Sequence, residues 1–324
     1  MINEIVAPVL SLGGLGLAFG SLLAYASKKF AVEVDERVPK VTEALPGANC
    51  GGCGYAGCGA FAVAVVEGRA PVDGCPVGGA ACASAVAEIM GVTVEQSERK
   101  VARVLCHGTK DKAREKYEYY GIEDCVAASK LGGGGKSCAY GCTGLGTCVK
   151  VCQFDAIKIE NGVAVVDAEK CTACGKCVSA CPKNIIELVP ESQATWVMCK
   201  SKDKGKDVKE HCDVGCIGCK ICEKTCKFDA VHVIDNIAII DYDKCVNCSQ
   251  CVVKCPKKII HGKPEIKKAY IHEDACIGCT ICSKQCKFDA IEGELKAKHK
   301  IIEEKCVGCE QCVVKCPKKC IEMR

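Results

Sequence analysis

Three rhythms of hydrophobic and polar positions divide this chain of 324 residues. From Ile5 to Ser27 no side chain is charged and Leu, Ala, Gly and Val dominate. As a helix, that run is long enough to cross a hydrocarbon core of about 30 Å. Glu4 precedes it and Lys28-Lys29 follow, so the bias of basic residues toward the cytoplasm directs the rest of the chain inward. No ionisable group lies within the run, which makes it an anchor and not an ion path. Ala24-Tyr25-Ala26 resembles a signal-peptide cleavage site, but the residues before Ile5 carry an acid and no base, unlike a signal peptide. The second rhythm is helical and predicts one helix from Ala60 to Glu67 and an Ala-rich one over 80–90. The third has period two. Ala156–Glu160 and Val163–Asp167 alternate around Asn161-Gly162, a strong hairpin signal, and Val231–Asp241 repeats the pattern around Asp235-Asn236.

Aromatic residues make up only 5% of the chain, with Trp196 the sole tryptophan, so several large hydrophobic cores are excluded. The 34 cysteines supply what packing cannot. Cys276, Cys279, Cys282 and Cys286 are spaced C-x2-C-x2-C-x3-C, as are Cys306, Cys309, Cys312 and Cys316, the last followed by Pro317. Cys216, Cys219, Cys222, Cys226 and Cys245, Cys248, Cys251, Cys255 repeat the pair. In bacterial ferredoxins the first three thiolates of such a motif hold one 4Fe-4S cluster and the fourth holds the neighbouring one. This rule groups Cys276, Cys279, Cys282 with Cys316, and Cys306, Cys309, Cys312 with Cys286. It likewise groups Cys216, Cys219, Cys222 with Cys255, and Cys245, Cys248, Cys251 with Cys226.

A third pair is irregular. Cys171, Cys174, Cys177 and Cys181 keep the spacing, but upstream the order is Cys138, Cys142, Cys148, Cys152, with Leu145 in the place of a regular second cysteine. Taking Cys138 as the substitute gives Cys138, Cys142, Cys148, Cys181 as one set and Cys171, Cys174, Cys177, Cys152 as the other. Nearer the anchor, Cys50, Cys53, Cys58 and Cys75 are spaced C-x2-C-x4-C-x16-C over a Gly-rich loop and the first predicted helix, a separate single-cluster module. Seven complete sets follow. Val104–Lys110 with Cys106, ending at Asp124-Cys125, resembles Val197–Lys202 with Cys199, ending at His211-Cys212. Those four cysteines jointly bind an eighth cluster, pair as disulfides or remain structural thiols. Cys82 reads as a small buried residue, and Cys320 has no assigned role.

Other chemistries fit less well. Zinc draws two cysteine pairs from separate knuckles, unlike these triplets, and a cytoplasmic location disfavours disulfides. The net charge is +4 before cofactors, and oxidised clusters at about −2 each turn it negative. Lysines beside the ligands, such as Lys254, Lys257, Lys258, Lys315, Lys318 and Lys319, balance that charge or dock an acidic protein. No basic stripe interleaves with aromatics, so nucleic acid is not a partner. Leu131–Lys136 looks like a flexible Gly-rich hinge, and its ending Gly135-Lys136-Ser137 lacks the leading glycine of a phosphate loop.

The anchor, Pro46-Gly-Ala-Asn-Cys-Gly-Gly-Cys-Gly-Tyr-Ala-Gly-Cys58, the run Cys138-Ala-Tyr-Gly-Cys-Thr-Gly-Leu-Gly-Thr-Cys-Val-Lys-Val-Cys152 and the paired ferredoxin repeats together resemble the B subunit of the Rnf complex. The resemblance implies a membrane-bound, ion-translocating ferredoxin:NAD oxidoreductase whose B subunit takes electrons from soluble ferredoxin and passes them to membrane partners, another subunit carrying the flavin and the NAD site. Gln153, Lys227 and Lys287 replace the proline that often follows the fourth cysteine. A polyferredoxin subunit of a hydrogenase-type or quinone-linked complex is the alternative. The expected fold is α+β: a transmembrane anchor (1–29), a single 4Fe-4S module (30–95), a connecting region with the hinge (96–136), and three two-cluster ferredoxin domains (137–190, 191–262 and 263–324).

Overall fold

A computed structural model describes residues 2–29, 35–94, 98–262 and 267–324, with the side chains of 2–11 outside the description. Helix α1 (Ile2–Lys29) covers the uncharged run. Among the described residues no helix is long and apolar enough to cross a membrane. The first part of the expected span, up to Ser11, lies outside the described side chains. From Leu12 onward the helix leaves its apolar side chains uncovered, with Leu17 75% and Leu23 68% exposed.

The next unit packs α2 (Arg37–Ala44), α3 (Cys58–Val66) and α4 (Gly79–Met90) around Val41, Phe61, Val65 and Val86. Both helices predicted here form. Helix α4 stops where Gly91 turns left-handed at φ 67°, a backbone state that costs glycine little.

Beyond it one pattern recurs three times. The first unit runs β1 (Lys100–Val104), α5 (Cys125–Lys130), α6 (Thr147–Lys150), β2 (Ile157–Glu160), β3 (Val163–Val166), α7 (Lys176–Ala180) and β4 (Ile186–Pro190). Strands β2 and β3 form an inner antiparallel hairpin, while β1 and β4 pair antiparallel to close the unit. The second unit comprises β5 (Trp196–Val197), α8 (Gly205–His211), α9 (Ile221–Thr225), β6 (Val231–Ile234), β7 (Ile237–Ile240), α10 (Gln250–Lys254) and β8 (Ile260–His261), with β6–β7 inside and β5–β8 outside. The third has β9 (Ala269–Ile271), α11 (Ile281–Gln285), β10 (Ile291–Glu292), β11 (Lys300–Ile301), α12 (Gln311–Lys315) and β12 (Ile321–Met323), paired β10–β11 and β9–β12. The fold is mixed α and β.

Both predicted hairpins are present. Glu160 faces Val163 across Asn161 (φ 44°) and Gly162 (φ 74°), and Ile234 faces Ile237 across Asp235 and Asn236, both at positive φ. Two successive left-handed residues match the strand twist, which explains the Asn-Gly and Asp-Asn choices.

Two expectations for residues 96–136 differ from what is seen. The segment is not only a connector, because β1 buries Val101 and Ala102 in the first unit's core. Nor do its glycines hang free as a hinge. The Lys183 ammonium donates to the Gly133 and Ala139 carbonyls at 2.8 Å each. Buried Lys136 donates to Gly108 O at 2.7 Å and Gly162 O at 2.8 Å. Lys183, distant in sequence, thus ties down a carbonyl that a flexible loop would give to water, and Lys136 ties the end of the stretch to Gly108 and Gly162.

Candidate iron-sulfur sites

The short helices carry the third cysteine of each motif, and each begins after a residue forced left-handed. Gly146, Gly175, Lys220, Ser249, Thr280 and Glu310 all precede a helix with φ between 56° and 77°. That reversal turns the C-x2-C loop back so that its thiols and that of the helix face one volume. In four of the six cases the residue is not glycine, a cost accepted at functional sites.

In the third unit, Cys276, Cys279, Cys282 and Cys316, with Cys320 beside them, line a cavity of about 330 Å³, and Cys286, Cys306, Cys309 and Cys312 line one of about 360 Å³. In the first unit, Cys152, Cys171, Cys174 and Cys177 surround about 320 Å³. In the second unit the Cys222 thiol has Cys216, Cys219 and Cys255 as electrostatic neighbours, and Cys251 has Cys248, Cys245 and Cys226. In the helical module Cys75 neighbours Cys53 and Cys58, while the Cys50 sulfur accepts from Gly52 N at 3.5 Å.

Cys138 does not join Cys142, Cys148 and Cys181, the set expected for it. Those three line a cavity of about 330 Å³ with Cys125 instead. Cys138 lies with Cys106, Cys199 and Cys212 around another of about 480 Å³. The exchange has a local cause. Asp124 caps α5 by accepting from Ala127 N at 2.8 Å, and its other oxygen accepts from the Thr147 hydroxyl at 2.8 Å. Thr147 Oγ1 in turn accepts from Cys125 N at 2.7 Å, which holds Cys125 beside Cys148. No spacing signal announces this, since Cys125 belongs to no cysteine motif.

The residues fit an iron-sulfur group. Four thiols face each of these cavities, with Cys320 a fifth at the site of Cys316, and among the described residues no three Cys, His, Asp or Glu side chains converge as they would around a single ion. Backbone N–H groups point at sulfur: Ala102 at Cys171 (3.4 Å), Ala230 at Cys226 (3.4 Å), Ala290 at Cys286 (3.3 Å) and Ala269 at Cys306 (3.4 Å). Such bonds stabilise thiolate charge and tune cluster potential. Burial pushes the Cys148, Cys251 and Cys312 thiols up to about 12, so the cluster-free chain keeps them protonated and loading must displace those protons. Cys320 sits 3.5 Å from Cys316, sulfur to sulfur. The Cys82 thiol hydrogen-bonds Cys75 and is pushed up to about 11, mainly by burial.

Sites of different units approach one another. At Gly52, beside Cys50 and Cys53, an added Cβ would lie 2.8 Å from the Cys174 carbonyl oxygen, so the module's loop rests on a cysteine of the first unit. Cys309 of the third unit has Cys248 of the second as an electrostatic neighbour. There Lys227 Nζ donates to Lys287 O at 2.6 Å and Lys287 Nζ to Lys227 O at 3.1 Å. Each ammonium also lies 4.6 Å from the other unit's phenylalanine ring, Phe288 or Phe228. Two of the three positions lacking the usual proline, Lys227 and Lys287, therefore form a reciprocal clasp.

Known families match along the same lines. A family described as an Fe-S cluster matches residues 45–77, a 4Fe-4S binding domain 164–187, and 4Fe-4S dicluster domains 215–260, 244–290 and 269–323. The B subunit of the Na(+)-translocating ferredoxin:NAD(+) oxidoreductase complex of Acetobacterium woodii is 53% identical over 84% of this chain and 83% of its own length. The B subunit of the ion-translocating oxidoreductase complex of Methanosarcina acetivorans is 45% identical over 80% and 99%. The corresponding subunit of the proton-translocating ferredoxin:NAD(+) oxidoreductase complex of Clostridium ljungdahlii is 45% identical over 80% and 94%. With the cysteine-lined cavities and the repeated ferredoxin units on one chain, this identity makes it a member of the B-subunit family of Rnf-type ion-translocating oxidoreductase complexes, an iron-sulfur electron-transfer subunit.

Proposed function

We propose that this subunit accepts electrons from reduced ferredoxin at its third ferredoxin unit and delivers them, through the Cys50 module, to membrane and flavin-bearing subunits of a ferredoxin:NAD oxidoreductase complex. The relatives' names supply the donor and acceptor classes. The observation that carries the route is the proximity of cysteine sites between units, Cys309 by Cys248 and Gly52 on Cys174, and within them, Cys251 by Cys222 and Cys148 by Cys177. A 4Fe-4S cluster, when bound, supplies reversible one-electron storage at a potential set by its surroundings. The protein's part is to hold the thiols, dress them with N–H donors and keep the sites in file.

The uncovered leucines of α1 and the Lys28-Lys29 pair at its end support a membrane anchor close to the module that delivers electrons. At the opposite end Lys315, Lys318 and Lys319 are exposed around Cys316, a surface suited to an acidic ferredoxin. Rapid mixing of the anaerobic, cluster-loaded chain with reduced ferredoxin tests the port. The triple variant Lys315→Glu, Lys318→Glu, Lys319→Glu is expected to accept electrons at least about tenfold more slowly at low salt, the difference fading as salt rises. Equal rates at every ionic strength would place the port elsewhere.

A further inference from the structure

We propose that Cys106, Cys138, Cys199 and Cys212 hold an additional 4Fe-4S cluster at the junction of the first two ferredoxin units, and that Cys125 completes the set of Cys142, Cys148 and Cys181. The proposal rests on the polyferredoxin reading and deepens it, adding an eighth site to the seven expected from cysteine spacing.

The junction cavity is walled by residues of both units, from Leu105 to Gly141 on one side and Met198 to Ile259 on the other, and those four are its only cysteines. None of the four is tied up in a disulfide. The two units contribute in matching ways. Cys106 follows β1 and its sulfur accepts from Cys142 N at 3.3 Å, while Cys199 follows β5 and accepts from Cys216 N at 3.4 Å. Cys142 and Cys216 are the leading cysteines of the neighbouring sites. Each neighbour thus sends a backbone N–H toward a thiol of the junction, the contact that a ligating sulfur attracts.

The remaining pair is set by an exchange between units. Ala113 bridges Cys212 in antiparallel fashion, Arg114 N donates to His211 O at 2.9 Å and Asp213 N to Lys112 O at 2.9 Å. These bonds draw Cys212 to the first unit's loop. Cys125, its apparent counterpart in sequence, is held at Cys148 by Thr147, in compensation for Leu145, which stands where Cys219 does in the second unit. Cys138 takes the vacated position. Buried Lys136 also lines the cavity, placing a positive charge where an anionic cluster needs one.

The site matters for the route. Between the second and third units Cys248 and Cys309 are neighbours without an intermediate. Between the first and second units, Cys142 and Cys216 each reach the junction thiols, so a cluster there links two sites otherwise separated by the cavity.

Iron and sulfide analysis of the anaerobic whole chain is the first test: about 32 irons per chain agree with the proposal, whereas about 28 would overturn it and leave the seven-cluster reading intact. Far less iron in folded protein sinks both. Paired serine substitutions test the membership. The double variant Cys138→Ser, Cys199→Ser is expected to lose about four irons, no more than either single variant, whereas Cys125→Ser, Cys199→Ser loses about eight. The reverse result puts Cys125 in the junction and overturns the assignment. If a variant loads no cluster at all, the wild-type iron count still decides whether the eighth site exists.

Discussion

Alanine at Gly144 and alanine at Gly175 impose the same backbone strain but very different packing. Both glycines are left-handed, at φ 78° and 77°. An L-residue there costs about 1–2 kcal/mol. At Gly175 nothing lies within 4 Å of an added Cβ, so that strain is the whole expected effect. At Gly144 the Cβ would stand 2.5 Å from the Gly162 carbonyl oxygen and 2.9 Å from its carbon. The turn cannot easily retreat, because Lys136 holds Gly162 O and Lys110 N donates to Asn161 O at 3.0 Å. Overpacking against fixed backbone adds roughly 1–3 kcal/mol. The extra cost at Gly144 is therefore about 2 kcal/mol, or about thirtyfold in the rate of opening if the contact is lost before the barrier. The assay is anaerobic bleaching of the visible iron-sulfur absorbance in moderate denaturant with a chelator present. Gly144→Ala is expected to bleach about thirtyfold faster than Gly175→Ala. Rates within about twofold of each other refute the claim that loop and turn are locked together.

The clasp between the second and third units predicts coupling: Lys227→Ala and Phe288→Ala should fall short of additivity by about 0.5–1 kcal/mol in unfolding free energy, and strict additivity argues that ammonium and ring do not interact. Cys320, 3.5 Å from Cys316, should rescue the third unit's site in Cys316→Ser. Iron analysis should then show a marked loss only in the double variant Cys316→Ser, Cys320→Ser, and an equal loss in the single variant removes the rescue. Chelation of all iron should unfold the three ferredoxin units, because each has only paired two-stranded sheets and small cores. Unchanged circular dichroism and scattering of the iron-free chain would contradict that dependence.

What the sequence determined by itself is local. The inner hairpins are legible because Asn161-Gly162 and Asp235-Asn236 meet a φ requirement within two residues, and α3 and α4 because a helix's face is written in one stretch. The ferredoxin repeats are legible because the C-x2-C-x2-C-x3-C spacing is itself a local geometry of a reversing loop and a short helix, and the family because those repeats follow the Cys50 module and the Cys138–Cys152 run in one order. What the tertiary structure decided depends on bonds between residues far apart in the chain. The Gly-rich stretch looked flexible from its composition, and Lys183, 50 positions from Gly133, holds it still. Cys125 and Cys138 exchanged places because Thr147, 22 positions from Cys125, captures the Cys125 amide and the Ala113 bridge captures Cys212. A thiol's partners are fixed by where its backbone is tied, and a tie made across two folded units leaves no period or spacing in the sequence.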